Sequence, residues 1–257
     1  MTGEARVALT PEACGVLVNA GHSVFIEQNA GINSGYLDQE YQQIGAQLVS
    51  SSQALYDAAQ LIVKVKQPLE QDIASLRSDH ILFCYLHLAA DAALVQILCD
   101  LGVTAIPFES VVDEGGQLPL LRPMSQVAGR IAAIRGASLL FRNRGGRGIL
   151  LGGIDGAEPG RVVVLGAGVA GSHALASSVA LGARVDVVDL NENKLQGLKS
   201  QYPDIETHLS TAKVIEQLCL DADLVVGAVL IAGRRAPVVL SQSVIRSMKQ
   251  GSVIVDI

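Results

Sequence analysis

A chain of 257 residues, 49% of them hydrophobic, is long enough for two ordinary domains and carries ample material for their cores. Its net charge is −6 and its lysines and arginines are scattered apart from the short RNRGGR stretch, Arg142 to Arg147, which argues against a nucleic-acid partner. The longest apolar run, Leu224 to Ala232, is broken by Gly227 and is far short of the roughly 20 residues that cross a bilayer, so no membrane partner is expected.

Charged residues make up only 17%, below the roughly 25% usual for globular domains, so part of the apolar surface is expected to be covered in a homo-oligomer. The N-terminus, MTGEARVALTPEACG, has no basic start, apolar stretch or cleavage site. Cys14, Cys84, Cys99 and Cys219 are widely spaced in apolar surroundings, which fits buried thiols in a reducing compartment better than disulfides or a metal cluster. A cytoplasmic location without a metal site is the resulting expectation.

In chain order, Thr10 and Pro11 supply a capping residue and a first-turn proline for a helix. Strand candidates follow at Ser23 to Glu27, Leu61 to Lys66, Ile81 to Leu86 and Val103 to Phe108. Met124 to Phe141 reads as one long helix, and further strands are expected at Val162 to Leu165, Arg184 to Asp189, Leu224 to Leu230 and Ser252 to Ile257. This alternation predicts an α/β protein of two doubly wound, Rossmann-like domains with mainly parallel sheets, joined by the long helix. LVNAGHSVFIEQ near the start and VALGARVDVVDL from Val179 share one pattern, a helix end, a glycine stop and a strand with an acid near its end. The boundary is placed near Pro119, giving domains of 1–119 and 120–257.

The strongest local signal is RVVVLGAGVAGSHALASSVALGARVDVVDL. A strand runs into Gly166, Gly168 and Gly171, a helix follows, and a second strand ends at Asp189. Gly166 permits the tight turn, Gly168 lets the backbone approach a pyrophosphate, and Gly171 allows close helix packing. The helix N-terminus offers unpaired N–H groups to the phosphates. Asp189 would accept hydrogen bonds from ribose hydroxyls and repel a 2′-phosphate, favouring NAD over NADP. Three glycines alone would merely shape a turn, and it is the complete strand, helix, strand and acid that argue for a dinucleotide.

In the first half the polar candidates sit at strand ends. Lys64 and Lys66 of LIVKVKQP fall on one face, with Lys66 at the carboxyl tip before a helix-initiating Pro68, and His87 of HILFCYLHLAAD follows an apolar strand. Taken singly these are a solvated strand terminus and a structural histidine, but at the tips of adjacent strands they converge where a ligand is expected. A hydride donor loses a proton as well, and histidine is suited to proton exchange near neutral pH. Arg6 of GEARVALTP is a second cation that could clamp a carboxylate, although its default reading is a disordered tail.

These segments together resemble the alanine dehydrogenase family. EARVALTP, VKVKQP, YLHLAA, LPLLRPMSQVAGR, GGRGILLGG, LGAGVAG, VVGAVLIAGRRAP and GSVIVDI occur in this order through the whole chain. The resemblance implies a two-domain enzyme, a substrate domain followed by an NAD-binding domain, that reversibly converts L-alanine, NAD and water to pyruvate, ammonium and NADH. It implies that Arg6 and Lys66 bind the substrate carboxylate and carbonyl region, that His87 and Lys66 serve catalysis with His87 as the acid/base group, and that Ser125 contacts the cofactor. Gly166, Ala167, Gly168, Val169, Ala170 and Gly171 would hold NAD with Asp189, while Val229, Leu230 and the rest of LIAGRRAP would pass near it.

The nicotinamide-binding part of the membrane transhydrogenase is similar around LGAGVAG and GSVIVDI but differs at YLHLAA and MSQVAGR. An impaired NAD-binding remnant is the other alternative. Gln67 and Gln126 stand where family members usually carry glutamate, which points to tuned local charge. The resemblance also implies a strand before GEARVALTP and, after VIVDI, a loop with a catalytic aspartate, so the chain reads as truncated at both ends. Asp256 lies within the last strand and is not given that role.

Overall fold

The computed structural model describes residues 4–231 and 237–257. The chain divides into two compact units, Met1–Leu118 and Pro119–Ile257.

In the first unit, α1 (Pro11–Asn19) starts where Thr10 accepts a hydrogen bond from the Ala13 N–H at 3.3 Å and Pro11 occupies the first helical position. Then come β1 (Phe25–Glu27), α2 (Asp38–Gln43), β2 (Gln47–Val49), α3 (Ser52–Ala58) and β3 (Leu61–Val63). The unit closes with α4 (Glu70–Ser75), β4 (Ile81–Cys84), α5 (Ala92–Leu101) and β5 (Thr104–Pro107). Its strands pair parallel in two separate sheets, β1-β2 and β3-β4-β5, each with its own hydrophobic cluster. β1 and β3 both line one cavity of about 1090 Å³.

Two expectations need correction here. The strand from Leu61 ends at Val63, so Lys64 and Lys66 lie in the loop beyond it, and Pro68 precedes the Leu69 cap of α4 instead of opening the helix. Strand β2, Gln47–Val49, has no counterpart among the sequence-based strand candidates because its three residues, QLV, are too few to show an alternation.

The second unit opens with α6 (Leu121–Leu139), three residues earlier than the apolar pattern suggests because Pro123 is tolerated in a first turn. It continues with β6 (Arg161–Leu165), α7 (Val169–Ala180), β7 (Arg184–Asp189), α8 (Glu192–Gln201) and β8 (Glu206–Leu209). It ends with α9 (Ala212–Asp221), β9 (Leu224–Gly227), α10 (Gln242–Ser247) and β10 (Val253–Asp256). One parallel sheet of order β10-β9-β6-β7-β8 results.

Val162, Val163, Val164 and Leu165 of β6 are all buried because the sheet is covered on both faces by separate apolar clusters. β8, of sequence ETHL at the sheet edge, escaped notice for the complementary reason: it has no apolar run. Two strands end earlier than their apolar sequence, β9 at Gly227 and β10 at Asp256.

The shared pattern of the two halves has a shared geometry. After α1, the Gly21 N–H donates to Val18 O and His22 N–H to Leu17 O; after α7, Gly182 donates to Val179 O and Ala183 to Ser178 O. Both glycines adopt positive φ, +90° and +82°, and each turn feeds a strand.

Cys14, Cys84 and Cys219 are buried as expected, but Cys99 is exposed on α5. Burial pushes the thiol of Cys84 up to about 12 and that of Cys219 up to about 11, so neither is a thiolate near neutral pH. No helix among the described residues is long and apolar enough to cross a membrane.

Candidate functional site

The chemistry-bearing residues form two groups, one in each unit. In the second unit the order of the sheet reverses between β6 and β9, and the loops at their carboxyl ends, Gly166–Gly168 and Ala228, meet there. Gly166 has φ +105°, and a Cβ on it would sit 2.6 Å from Ala228 O, so the turn demands glycine twice over. A Cβ on Gly171 would fall 1.7 Å from Gly166 O, which is why α7 can start so close to the strand. At Gly168, by contrast, nothing lies within 4 Å of the missing side chain. That open backbone, followed by the start of α7 with no side-chain cap, fits a pyrophosphate.

Asp189 ends β7, where its carboxylate reaches back to the loop. Ala167 N–H donates to Oδ2 at 2.6 Å and Asn191 N–H to Oδ1 at 2.8 Å. A carboxylate has about four acceptor positions, so two remain for ribose hydroxyls. The residues present therefore fit NAD. Val229 packs partly buried beside the sheet and Leu230 is exposed beyond it. Of the LIAGRRAP segment, residues 232–236 lie outside the described residues. Ser125 lies on α6 one turn before Gly129, where α6 crosses α7 so closely that a Cβ would sit 2.0 Å from Ala170 O.

In the first unit the structure brings Arg6 and Lys66 together. Glu4 does this: Arg6 grips its carboxylate with Nε and Nη2, each at 2.8 Å, and Lys66 Nζ lies 3.1 Å from Oε2. Arg6, and more weakly Lys66, hold the Glu4 carboxyl far below the usual carboxylate range. Glu4 in turn raises the guanidinium of Arg6 above its ordinary value. Arg6 is thus tied down and is no disordered tail. Glu4 itself was missed, although its two-residue spacing from Arg6 on an extended segment puts both on one side. Lys64 goes elsewhere, pairing with Asp72, whose carboxylate also accepts from the Leu69 N–H at the start of α4.

Glu4, Arg6 and Lys66 line the 1090 Å³ cavity, whereas His87 does not. Tyr85 connects them. Its phenol, raised by burial, feels the opposing pull of Arg6, and its ring stacks on His87 with centroids 6.3 Å apart at 18°. Phe108 meets Tyr85 edge-on at 5.1 Å and Phe83 at 4.4 Å, so the tips of β4 and β5 share an aromatic brace. His87 adopts a left-handed backbone, φ 51° and ψ 36°, before a short helical turn over Leu88–Ala90. Glu109, also missed in the sequence, accepts from the backbone N–H groups of both Leu86 and His87.

The second unit, with a glycine turn at the switch point and an acid at the next strand tip, defines a dinucleotide-binding α/β protein, here with a separate cation-bearing domain. Residues 1–128 match the family described as "Alanine dehydrogenase/PNT, N-terminal domain" and residues 132–257 the corresponding C-terminal domain. The chain belongs to this alanine dehydrogenase/PNT family, and its class is that of the NAD-dependent oxidoreductases. An alanine dehydrogenase of Mycobacterium tuberculosis is 45% identical over 255 residues, which is 99% of this chain and 69% of that protein. A solved L-alanine dehydrogenase superposes with TM-score 0.89 at 45% identity, covering 99% of this chain and 71% of its own. A transhydrogenase from Sinorhizobium meliloti superposes less well, TM-score 0.78 at 26% identity, over 99% of this chain and 74% of its own.

Proposed function

We propose that this chain carries out the reversible, NAD-dependent oxidative deamination of L-alanine to pyruvate and ammonium, with residues 1–119 as substrate domain and 120–257 as NAD domain. One observation carries the reading of the substrate site: Arg6 and Lys66 already converge on a single carboxylate, that of Glu4. A fork and an ammonium poised on one carboxylate can take that of an α-amino acid in the same way. The higher identity to the alanine dehydrogenases than to the transhydrogenase supports the alanine reading.

In this mechanism Arg6 fixes the substrate carboxylate, and Lys66 holds its other oxygen and later the carbonyl of pyruvate. This restrains the α-carbon in one orientation and spares much of the entropy of a bimolecular encounter. The chemistry that bound NAD would supply is that of a hydride acceptor for the α-hydrogen. His87 takes the proton that the amine gives up and then assists water in adding to the resulting imine carbon. It returns a proton as ammonium leaves, so that alanine, NAD and water become pyruvate, ammonium, NADH and one proton. Gly166, Ala167, Gly168, Val169, Ala170 and Gly171 would cradle the pyrophosphate, Asp189 would take the ribose hydroxyls, and Ser125, Val229 and Leu230 would contact the cofactor.

The direct check is the appearance of NADH at 340 nm with L-alanine, serine or glycine. Selective turnover of L-alanine is the expected result; NADH binding without turnover of any of the three would reject the assignment. We further propose a cytoplasmic homo-oligomer. Val127, Ile131 and Ile134 of α6 are all at least half exposed and, at helical spacing, lie on one face. Light scattering showing a monodisperse monomer would count against that.

A further inference from the structure

We infer that Glu109 is a positioning residue, the group that holds His87 in its left-handed backbone conformation and so aims the imidazole. The inference rests on the reading of His87 as the proton-exchanging group.

β4 ends at Cys84 and lies in register with β5, Cys84 opposite Pro107. Two residues on, the chain must leave the sheet, and the N–H groups of Leu86 and His87 then have no strand to bond. Both turn to one acceptor. Leu86 N–H donates to Glu109 Oε1 and Oε2 at 3.2 and 3.3 Å, and His87 N–H donates to Oε1. Consecutive N–H groups converging on one anion form a nest, and the nest is shaped by a residue in the left-handed region. At φ 51° that residue would by default be glycine, since a Cβ is strained there.

Glycine would satisfy the turn but supply no side chain. A histidine in its place carries the cost of an unfavourable backbone in order to present an imidazole, and a charge-assisted pair of hydrogen bonds is what offsets it. Glu109 sits on its own short helical turn, Phe108–Ser110, immediately after β5. The adjacent Phe108 ring braces Tyr85, and Tyr85 stacks on His87. The backbone and the ring of His87 are therefore both fixed from the tip of β5, Glu109 acting on the one and Phe108, through Tyr85, on the other.

The test combines Glu109→Ala, Glu109→Gln, His87→Ala and the Glu109→Ala/His87→Ala double variant, with thermal unfolding to confirm that each is folded. Glu109→Ala should lower kcat about tenfold, as the strain at His87 goes uncompensated, and change KM for alanine by less than about twofold. Glu109→Gln keeps one carbonyl oxygen for the His87 N–H and should recover most of the rate. In the His87→Ala background, Glu109→Ala should cost nothing further. An equal loss in both backgrounds would show that Glu109 acts independently of His87 and would overturn the inference. If His87→Ala retains full turnover, the acid/base reading fails instead. The backbone NMR shifts of His87 then decide the positioning claim: displacement in Glu109→Ala supports it, and unchanged shifts overturn it.

Discussion

The nucleotide site of the second unit and the cation site of the first are built from different materials. The former is a backbone device: Gly166, Gly168 and Gly171 each do something by lacking a side chain, and Asp189 braces the loop through the Ala167 N–H. The latter is a side-chain device, in which Glu4 gathers Arg6 and Lys66 while Tyr85 and Glu109 fix His87. A site made of backbone tolerates little change in shape, whereas one made of exposed ion pairs tolerates much change in sequence but depends on charge.

The largest effect expected from this contrast is at Gly171. Gly171→Val drives carbons into Gly166 O and should cost about 4 kcal/mol or more, read as loss of cooperative thermal unfolding. Gly168→Ala meets open space, so the unfolding midpoint should move by only a few degrees. The added methyl nevertheless obstructs the approach of a pyrophosphate, and NADH affinity by fluorescence titration should fall about tenfold or more.

In the first unit, Lys66→Ala should lower kcat/KM for alanine about a hundredfold while leaving NADH affinity intact, which steady-state kinetics and fluorescence titration separate. Asp189→Asn keeps an acceptor but loses the charge, so discrimination against NADP should narrow by about tenfold in relative affinity.

The smallest effect concerns pH. The Glu4 carboxyl is depressed in the folded state by Arg6 and then Lys66, so its contribution is fully present above its unfolded value of 4.5 and is lost as pH falls below that towards the folded value. Acid unfolding of wild type should therefore be steeper below pH 4.5 than that of Glu4→Gln, and coincident curves would refute the pairing.

The two sites also differed in how legible they were. Gly166, Gly168, Gly171 and Asp189 are read in sequence because a backbone device needs fixed residues at fixed spacing within one strand, helix and strand. Arg6, Lys66 and His87 stand 60 and 21 residues apart along the chain. The residues alone point only to a convergence of strand tips, and the family resemblance supplies their roles. Glu4 and Glu109 carry no motif of their own; their partners are chosen by folding, and only the folded chain displays them. The missed strands, β2 and β8, are only three and four residues long, QLV and ETHL, too short for the alternation or apolar run that marks a strand in a sequence.

The most direct test of the account compares the chain with its Lys66→Ala variant in one assay, NADH formation from L-alanine beside NADH binding. The account predicts rapid NADH formation by the unaltered chain, at least about a hundredfold less by the variant, and equal NADH affinity in both. Equal turnover by the two, or NADH binding by both with turnover by neither, would contradict it.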